Sequence, residues 1–295
     1  MRASKIFCGA LYSSTVICSL SGFAFSADLD VSGNLPAVSA VNGKVEFLGG
    51  GADADGIDSD GLFYGGAALS VPLGETFGFQ ADLTALNTFG DTAYGGAMHF
   101  FTRDPNAYLL GGVGGYVDTG SGHMVWGGGE SELYLGNFTL RAIAGVSDTK
   151  VSGFGRDTDF LGIAEASFYA TDNLRFSAEV STVTRFESAN IGVEWLMQDQ
   201  LNMPVAFHAT AALGEDGYVA AAAGLNFYFG GSESNKSLIR RHREDDPRIE
   251  AFPGSAVNFG GTKLMNGGPR CVPDADILEQ YSYDTCIGDY VGNPD

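Results

Sequence analysis

Few residues of this chain have types and spacings that suggest chemistry, and they are scattered. His123 lies near Ser121 and Asp118, the residue types of a nucleophilic triad. No known catalytic signature surrounds them, and an ordinary loop histidine is the simpler interpretation. We therefore predict no enzymatic activity, with catalysis at the rim of a membrane protein kept as a distant alternative.

The segment DADGIDSDG places four aspartates close together: Asp53, Asp55, Asp58 and Asp60. Oxygen-rich loops with glycine can hold Ca²⁺, but the EF-hand spacing and its final glutamate are absent. A solvated acidic loop is the simpler interpretation. We expect no cofactor and keep these aspartates as a weak calcium candidate.

The first residues have the order of a secretory signal peptide. Arg2 and Lys5 precede an apolar run that ends near Leu20, and small residues follow at a cleavage position. The apolar run is too short to span a bilayer. We predict that residues 1–27 are removed on export.

Export also bears on the four cysteines. Cys8 and Cys18 leave with the signal peptide, so that the mature chain keeps Cys271 and Cys286. A pair of cysteines in an exported protein is most simply a disulfide. Their surroundings do not have the spacing of a metal site.

The charge of the chain excludes one class of partner. The 295 residues carry a formal net charge of −20, which is the wrong sign for binding nucleic acid. Residues 28–231 hold seven basic and 25 acidic residues, whereas residues 232–295 hold seven basic and 11 acidic ones. Two regions of different chemistry therefore meet near residue 231.

Apolar residues recur with a period of two over residues 28–231. In LRFSAEVSTVTRF (174–186), Leu174, Phe176 and Val180 fall on one face, opposite Arg175 and Glu179. This period is that of a β-strand. Reading strands between the turn signals gives about 12 segments, long enough for tilted strands to cross a bilayer, with eight or ten as alternatives.

A secreted β-sandwich would also show this alternation. Three features favour a transmembrane β-barrel instead: the long segments in even number, the isolated charges in mid-segment, and the aromatic residues at segment ends. A membrane-spanning sheet must close to satisfy its backbone. We therefore predict an all-β fold, an antiparallel transmembrane β-barrel over residues 28–231.

The last predicted strand ends in GLNFYF, with Gly224, Phe227 and Phe229 at the spacing found at the end of many outer-membrane barrels. In this the chain resembles bacterial outer-membrane β-barrel proteins as a broad class. The resemblance implies that the barrel-assembly machinery reads these residues, and that outer-membrane lipid and lipopolysaccharide surround the barrel. It also implies that the N-terminus and the residues after the last strand lie in the periplasm. In most members of this class the aromatic residue ends the chain, whereas 66 residues follow Phe229 here.

If the apolar faces meet lipid, the opposite faces line the lumen. The charged lumen candidates are Glu46, Asp82, Glu130, Glu132, Arg141, Glu165, Arg175, Glu179, Arg185 and Glu194. Ion pairs among them would close the lumen, whereas water would leave a narrow, cation-preferring path. Small residues on the same faces (Gly128, Gly192, Ala206, Thr210, Ala212) favour space.

Residues 232–295 begin with a mixed-charge segment that is poor in apolar residues and end with the two cysteines. We predict a periplasmic tail with a Cys271–Cys286 disulfide. It is either an arm for a periplasmic partner or the cell wall, or a mostly disordered extension.

The function predicted first is a narrow porin-like channel for ions or small solutes. The alternative is a closed structural or anchoring barrel whose tail binds a partner. An outer-membrane enzyme is the distant third.

Overall fold

The computed structural model describes residues 35–55, 57–120, 122–151, 155–233, 235–245 and 248–254. Twelve strands form one sheet in which every strand pairs antiparallel with its chain neighbours, and β1 pairs with β12 to close it. The predicted all-β antiparallel barrel of about 12 strands is therefore confirmed. The predicted signal peptide and the Cys271–Cys286 disulfide lie outside the described residues.

The strands are β1 (Asn42–Ala54), β2 (Ile57–Leu73), β3 (Phe77–Thr88), β4 (Asp91–Asp104), β5 (Tyr108–Asp118), β6 (Gly122–Leu135), β7 (Phe138–Val151), β8 (Gly155–Thr171), β9 (Leu174–Val183), β10 (Phe186–Leu196), β11 (Val205–Gly214) and β12 (Val219–Gly230). Two short helices, α1 (Gln198–Leu201) and α2 (Leu238–Arg240), and a π-helical turn (Arg241–Asp245) complete the described elements. Among the described residues, no helix is long and apolar enough to cross a membrane.

Side chains alternate between the two surfaces of the barrel, as a period of two requires. In β12, Val219 and Phe229 are each 48% exposed, whereas Ala220 and Tyr228 are buried. The run of alanines in this strand is thus a β-strand packed between β1 and β11, and not a helix.

The outer surface of the barrel is apolar. Leu83, Met98, Ile191 and Phe160 are all more than 60% exposed on different strands, while charged side chains in the middle of the strands turn inward. Exposed apolar surface on this scale is unfavourable in water and favourable in lipid. This is the surface of a barrel that spans a bilayer.

The two ends of the barrel differ in what lies there. At the terminal end β1 begins and β12 ends, and at the distal end β1 turns into β2 and β7 into β8. Residues 49–61 and 147–158 are rich in glycine and aspartate, which are typical of turns, but most of them continue the strands. The ladder hydrogen bonds of the hairpins outweigh the weak strand propensity of their glycines and aspartates.

Aromatic residues at the terminal end form two concentric rings. Outside, Phe77 stacks on Phe100 at 5.5 Å between ring centres, and Phe138 packs on Phe168 at 4.8 Å. Inside, the neighbouring aromatic residues are buried: Phe101, Tyr134, Tyr169 and Tyr228. The aromatic residues at segment ends predicted a belt at the membrane–water interface. Only the outward-facing aromatic residues, which alternate with inward-facing ones, belong to this belt.

Candidate functional site

The barrel interior holds most of the charged residues that the sequence singled out. Nine of the ten lumen candidates point inward and are buried or nearly so: Glu46, Asp82, Glu130, Glu132, Arg141, Glu165, Arg175, Glu179 and Glu194. With His99 and His208 they form what we call the charged layer. Its ion pairs and hydrogen bonds compensate the cost of burying charge.

Arg185 is the exception, and its predicted place in the lumen is wrong. It lies in the hairpin between β9 and β10 with φ of 67°, where the alternation of the strand stops. Its guanidinium is 57% exposed and bonds to Asp159 at 2.6 Å and to Asp157. The hydrogen bond that Arg185 donates to Asp159, together with the negative charges of Asp159 and Asp157, raises the pKa of Arg185.

The described part of the predicted periplasmic tail lies inside the barrel. We call residues 235–245 and 248–254 the luminal segment. Leu238 and Glu250 are fully buried in it, and Phe252 is 2% exposed. The prediction of a tail outside the barrel from residue 232 is therefore wrong for these residues, because the charges of the segment find buried partners on the strands.

The entry of the luminal segment is fixed at the terminal end. The fully buried Lys236 ammonium lies 2.6 Å from a carboxylate oxygen of Asp245 and 3.1 Å from one of Glu244, and donates to the Ser39 hydroxyl at 2.7 Å. Hydrogen bonds to Glu233 and Glu244 raise the pKa of Arg240 beside them. This cluster ties the segment to the chain that precedes β1.

The π-helical turn fills the inner aromatic ring. Both nitrogens of His242 lie within hydrogen-bonding distance of tyrosine hydroxyls, Tyr169 at 2.8 Å and Tyr228 at 3.1 Å. The Arg243 guanidinium lies 5.0 Å from the ring centre of Tyr134, in a cation–π geometry. These contacts hold the π-helical turn inside the terminal end of the lumen.

Deeper in the barrel, Arg248 lies between two carboxylates of the charged layer. Its Nη1 contacts Glu165 and lies 3.0 Å from Glu179. Glu165 and Glu179 are direct cross-strand partners on β8 and β9. Like charges in this position repel, and a cation between them offsets that repulsion.

Glu250 makes the reciprocal contact with a strand arginine. Its carboxylate lies 2.5 Å from Nη2 of Arg141, and its backbone N–H donates to Asp82 at 2.8 Å. Asp82 and Glu130 also hold the fully buried His99, at 3.1 and 2.9 Å from its two ring nitrogens. Because both nitrogens face carboxylates, the geometry fits a doubly protonated imidazolium.

Small residues of the strands make room for the luminal segment. A Cβ on Gly95 would lie 2.8 Å from the backbone oxygen of Ala251, and one on Gly66 would lie 3.2 Å from a methyl group of Ile249. The prediction of open space was made for other small residues, Gly128 and Gly192 among them, and Gly66 and Gly95 were not named in it. Here the space at these glycines is taken by the chain itself.

The space left beside the segment is small. A cavity of about 70 Å³ remains among polar side chains that include Glu46, Arg175, Glu194 and His208. A water molecule has a share of about 30 Å³ in the liquid, so this cavity holds only a few waters.

The distal half of the lumen is closed by the strands themselves. Inward-facing apolar residues pack into one buried cluster, which we call the apolar layer: Leu62, Leu86, Val117, Met124, Trp126, Leu161, Val183, Phe186 and Tyr218 are prominent members. Phe252 of the luminal segment packs on its edge. The sequence analysis missed this layer because a strand with apolar residues on both faces does not tell which face meets lipid.

The four aspartates of the weak calcium candidate do not form a loop. Asp53 belongs to β1, Asp58 and Asp60 belong to β2, and Asp55 follows β1. Asp60 accepts hydrogen bonds from the backbone N–H groups of Gly61 and Gly90. Among the described residues, no group of acidic, histidine or cysteine side chains has the arrangement of a metal site.

His123 lies on β6, where its ring stacks on Tyr116 at 5.8 Å. Asp118 accepts a hydrogen bond from the backbone N–H of Gly120 at 2.8 Å, and Ser121 lies outside the described residues. The described contacts of His123 and Asp118 are a ring stack between paired strands and a hydrogen bond within the turn between β5 and β6.

The three residues of the predicted assembly signal all lie on β12. Phe229 is exposed to the lipid side near the terminal end, Phe227 is partly buried, and Gly224 pairs with Leu48 of β1 at the closing seam. Their reading by assembly machinery stays a prediction.

No protein-family model and no curated protein matches this chain. Solved structures that resemble it include the KdgM porin (TM-score 0.48, 5% identity, covering 63% of this chain and 99% of the porin). The NanC porin gives a TM-score of 0.47 at 7% identity, covering 62% of this chain and 98% of the porin. Outer membrane phospholipase A from Escherichia coli gives 0.41 at 12% identity, covering 68% of this chain and 94% of the enzyme. These are likenesses of fold at low identity.

Proposed function

We propose that this protein is an integral β-barrel of the bacterial outer membrane with a closed lumen, and that it serves as a membrane anchor rather than an open channel. The observation that carries the proposal is the filled interior. The luminal segment occupies the charged layer, and buried apolar side chains of the strands fill the distal half. Ions and solutes have no path through a packed interior of this kind.

The resemblance to bacterial outer-membrane barrels also supports an orientation of the barrel in the membrane. We propose that the terminal end faces the periplasm, and that the outer surface contacts lipid and lipopolysaccharide. We also propose that residues 255–295 bind a periplasmic partner. The assembly machinery recognises β12 in this proposal. The apolar exterior supports the membrane location.

A narrow cation-preferring channel is the second candidate, favoured by one observation. Seven inward acidic side chains of the strands (Glu46, Asp82, Glu130, Glu132, Glu165, Glu179, Glu194) face four basic ones (Lys44, Arg103, Arg141, Arg175) among the described residues. If the luminal segment left, this excess would attract cations. The apolar layer would still have to open.

Planar-bilayer recordings separate the two candidates. We expect no steady conductance from the folded full chain. In the variant Arg248→Glu, repulsion from Glu165 and Glu179 should expel the segment. An anchor with an intact apolar layer stays non-conducting, whereas a gated channel gains a cation-selective current. A steady current from the unmodified chain contradicts the closed barrel.

A further inference from the structure

Two buried carboxylates on adjacent strands face each other inside the barrel. Glu165 and Glu179 oppose each other across β8 and β9, and their side chains are 4% and 1% exposed. Arg175 of the barrel approaches Glu165 at 3.7 Å but bonds more closely to Glu194, at 3.2 Å. The cation that lies between the two carboxylates is Arg248 of the luminal segment. Its guanidinium carries a permanent positive charge, which these two carboxylates face.

Strand side chains also contact the backbone of the segment. The Gln80 side-chain amide donates to the carbonyl oxygen of Arg248 at 3.2 Å, and the N–H of Glu250 donates to Asp82 at 2.8 Å. Gln80 in turn donates to Asp82 at 2.8 Å, so that both groups are held in place. Hydrogen bonds to main chain combined with side-chain pockets are the mode by which proteins bind extended peptides.

The shape of the site matches the residues that follow. Gly95 leaves room for the backbone at Ala251, and the Tyr64 ring packs on Phe252 at 6.3 Å between ring centres. Arg141 receives the Glu250 carboxylate at 2.5 Å. Arg248, Glu250 and Phe252 are thus spaced two residues apart along the segment, and the side chain of each has a partner on the strands.

The segment is joined to the barrel by exposed chain. Ser232 and Glu233 are exposed, and the closed barrel ends before them at Gly230. The strand pairing of the barrel does not include the segment. The site therefore belongs to the barrel, and the segment occupies it as a tethered ligand.

We propose that the barrel interior is a binding site for an extended peptide with arginine, glutamate and an aromatic residue at alternate positions. Residues 248–252 fill this site in cis, and the site accepts the same peptide in trans when the tethered segment is released. The proposal rests on the contacts of the luminal segment and does not depend on whether the barrel conducts.

The test uses the full chain with a protease recognition sequence inserted between Ser232 and Asn235. After folding in detergent and cleavage, a fluorescent peptide of residues 235–254 is added and its anisotropy is measured. We expect saturable binding with release of the cut segment. The Arg248→Ala peptide should bind at least about ten-fold more weakly, since it removes the guanidinium that lies between two buried carboxylates.

Two controls make the result specific. A Ser237→Ala peptide should bind like the parent, because the Ser237 side chain makes no capping hydrogen bond. Glu165→Gln in the barrel should weaken the parent peptide, and if that variant does not fold, the peptide series alone decides. Equal binding of the Arg248→Ala peptide, or a cut segment that neither leaves nor exchanges, overturns the proposal. Conductance is a separate readout, so failure of the anchor proposal is recognised independently.

Discussion

Two arginines of this protein each contact a pair of acidic residues, one inside the barrel and one in an exposed hairpin. The Arg248 side chain is 20% exposed between Glu165 and Glu179, whereas Arg185 is 57% exposed between Asp157 and Asp159. Removing one partner of a buried ion pair leaves the remaining charge without compensation in the protein interior, where the dielectric constant is low. Exposed pairs are screened by water and salt.

We therefore expect Arg248→Ala to lower the free energy of unfolding by about 3–5 kcal/mol, the range for breaking a buried ion pair. Arg185→Ala should leave the unfolding midpoint unchanged within error. Urea unfolding in detergent, followed by tryptophan fluorescence, measures both. An Arg248→Ala variant as stable as Arg185→Ala would show that Arg248 is not in the charged layer.

Sequence alone indicated which strand residues point inward, because the period of two sorts them into faces. It placed Arg185 wrongly, since a hairpin with two positive-φ residues, Thr184 and Arg185, interrupts the period. Arg248 could not be assigned at all, because its partners are more than 60 residues away in the chain. The available signal was charge complementarity between an acidic barrel and an arginine-rich segment.

At the scale of elements, the strands were predictable and the luminal segment was not. Alternation and turn residues predicted about 12 strands, as the structure has them. The luminal segment looks disordered by composition, because its order comes from partners on the strands and not from its own propensity. Its fit depends on backbone contacts at glycines such as Gly95, which a sequence pattern does not display.

Gly95 offers a test of this fit. In Gly95→Val the added side chain meets the Ala251 carbonyl and the Phe252 ring, both within 3 Å of a Cβ. Overpacking costs about 1–3 kcal/mol, which is enough to increase opening of the segment about ten-fold. Trypsin cleavage at Arg248 should accelerate accordingly.

The matched control is Gly112→Val. A Cβ on Gly112 has no neighbour nearer than 3.8 Å, and the residue is exposed on the outer surface. Cleavage at Arg248 should keep its rate in this variant. If both variants are cleaved at the same rate as the parent, the segment does not lie against Gly95.

At the scale of the whole molecule, the barrel follows from few constraints. Strands of this length that are apolar on one face must close into a barrel to satisfy their backbone in lipid. Whether the lumen is open is decided by side chains from β1 to β12 and by the luminal segment together. Among the described residues, the apolar layer lies in the distal half of the lumen and the luminal segment in the other half.

The most direct test is the accessibility of the luminal segment from water. In chains with Cys271 and Cys286 replaced, single cysteines are placed at Ala251, which is fully buried, and at Ser232, which is exposed. A membrane-impermeant maleimide is added to the folded protein, and labelling is followed by mass. We predict that Ala251→Cys reacts at least about 100-fold more slowly than Ser232→Cys, because reaction requires the segment to leave the lumen. Equal labelling rates at the two positions would contradict the closed barrel.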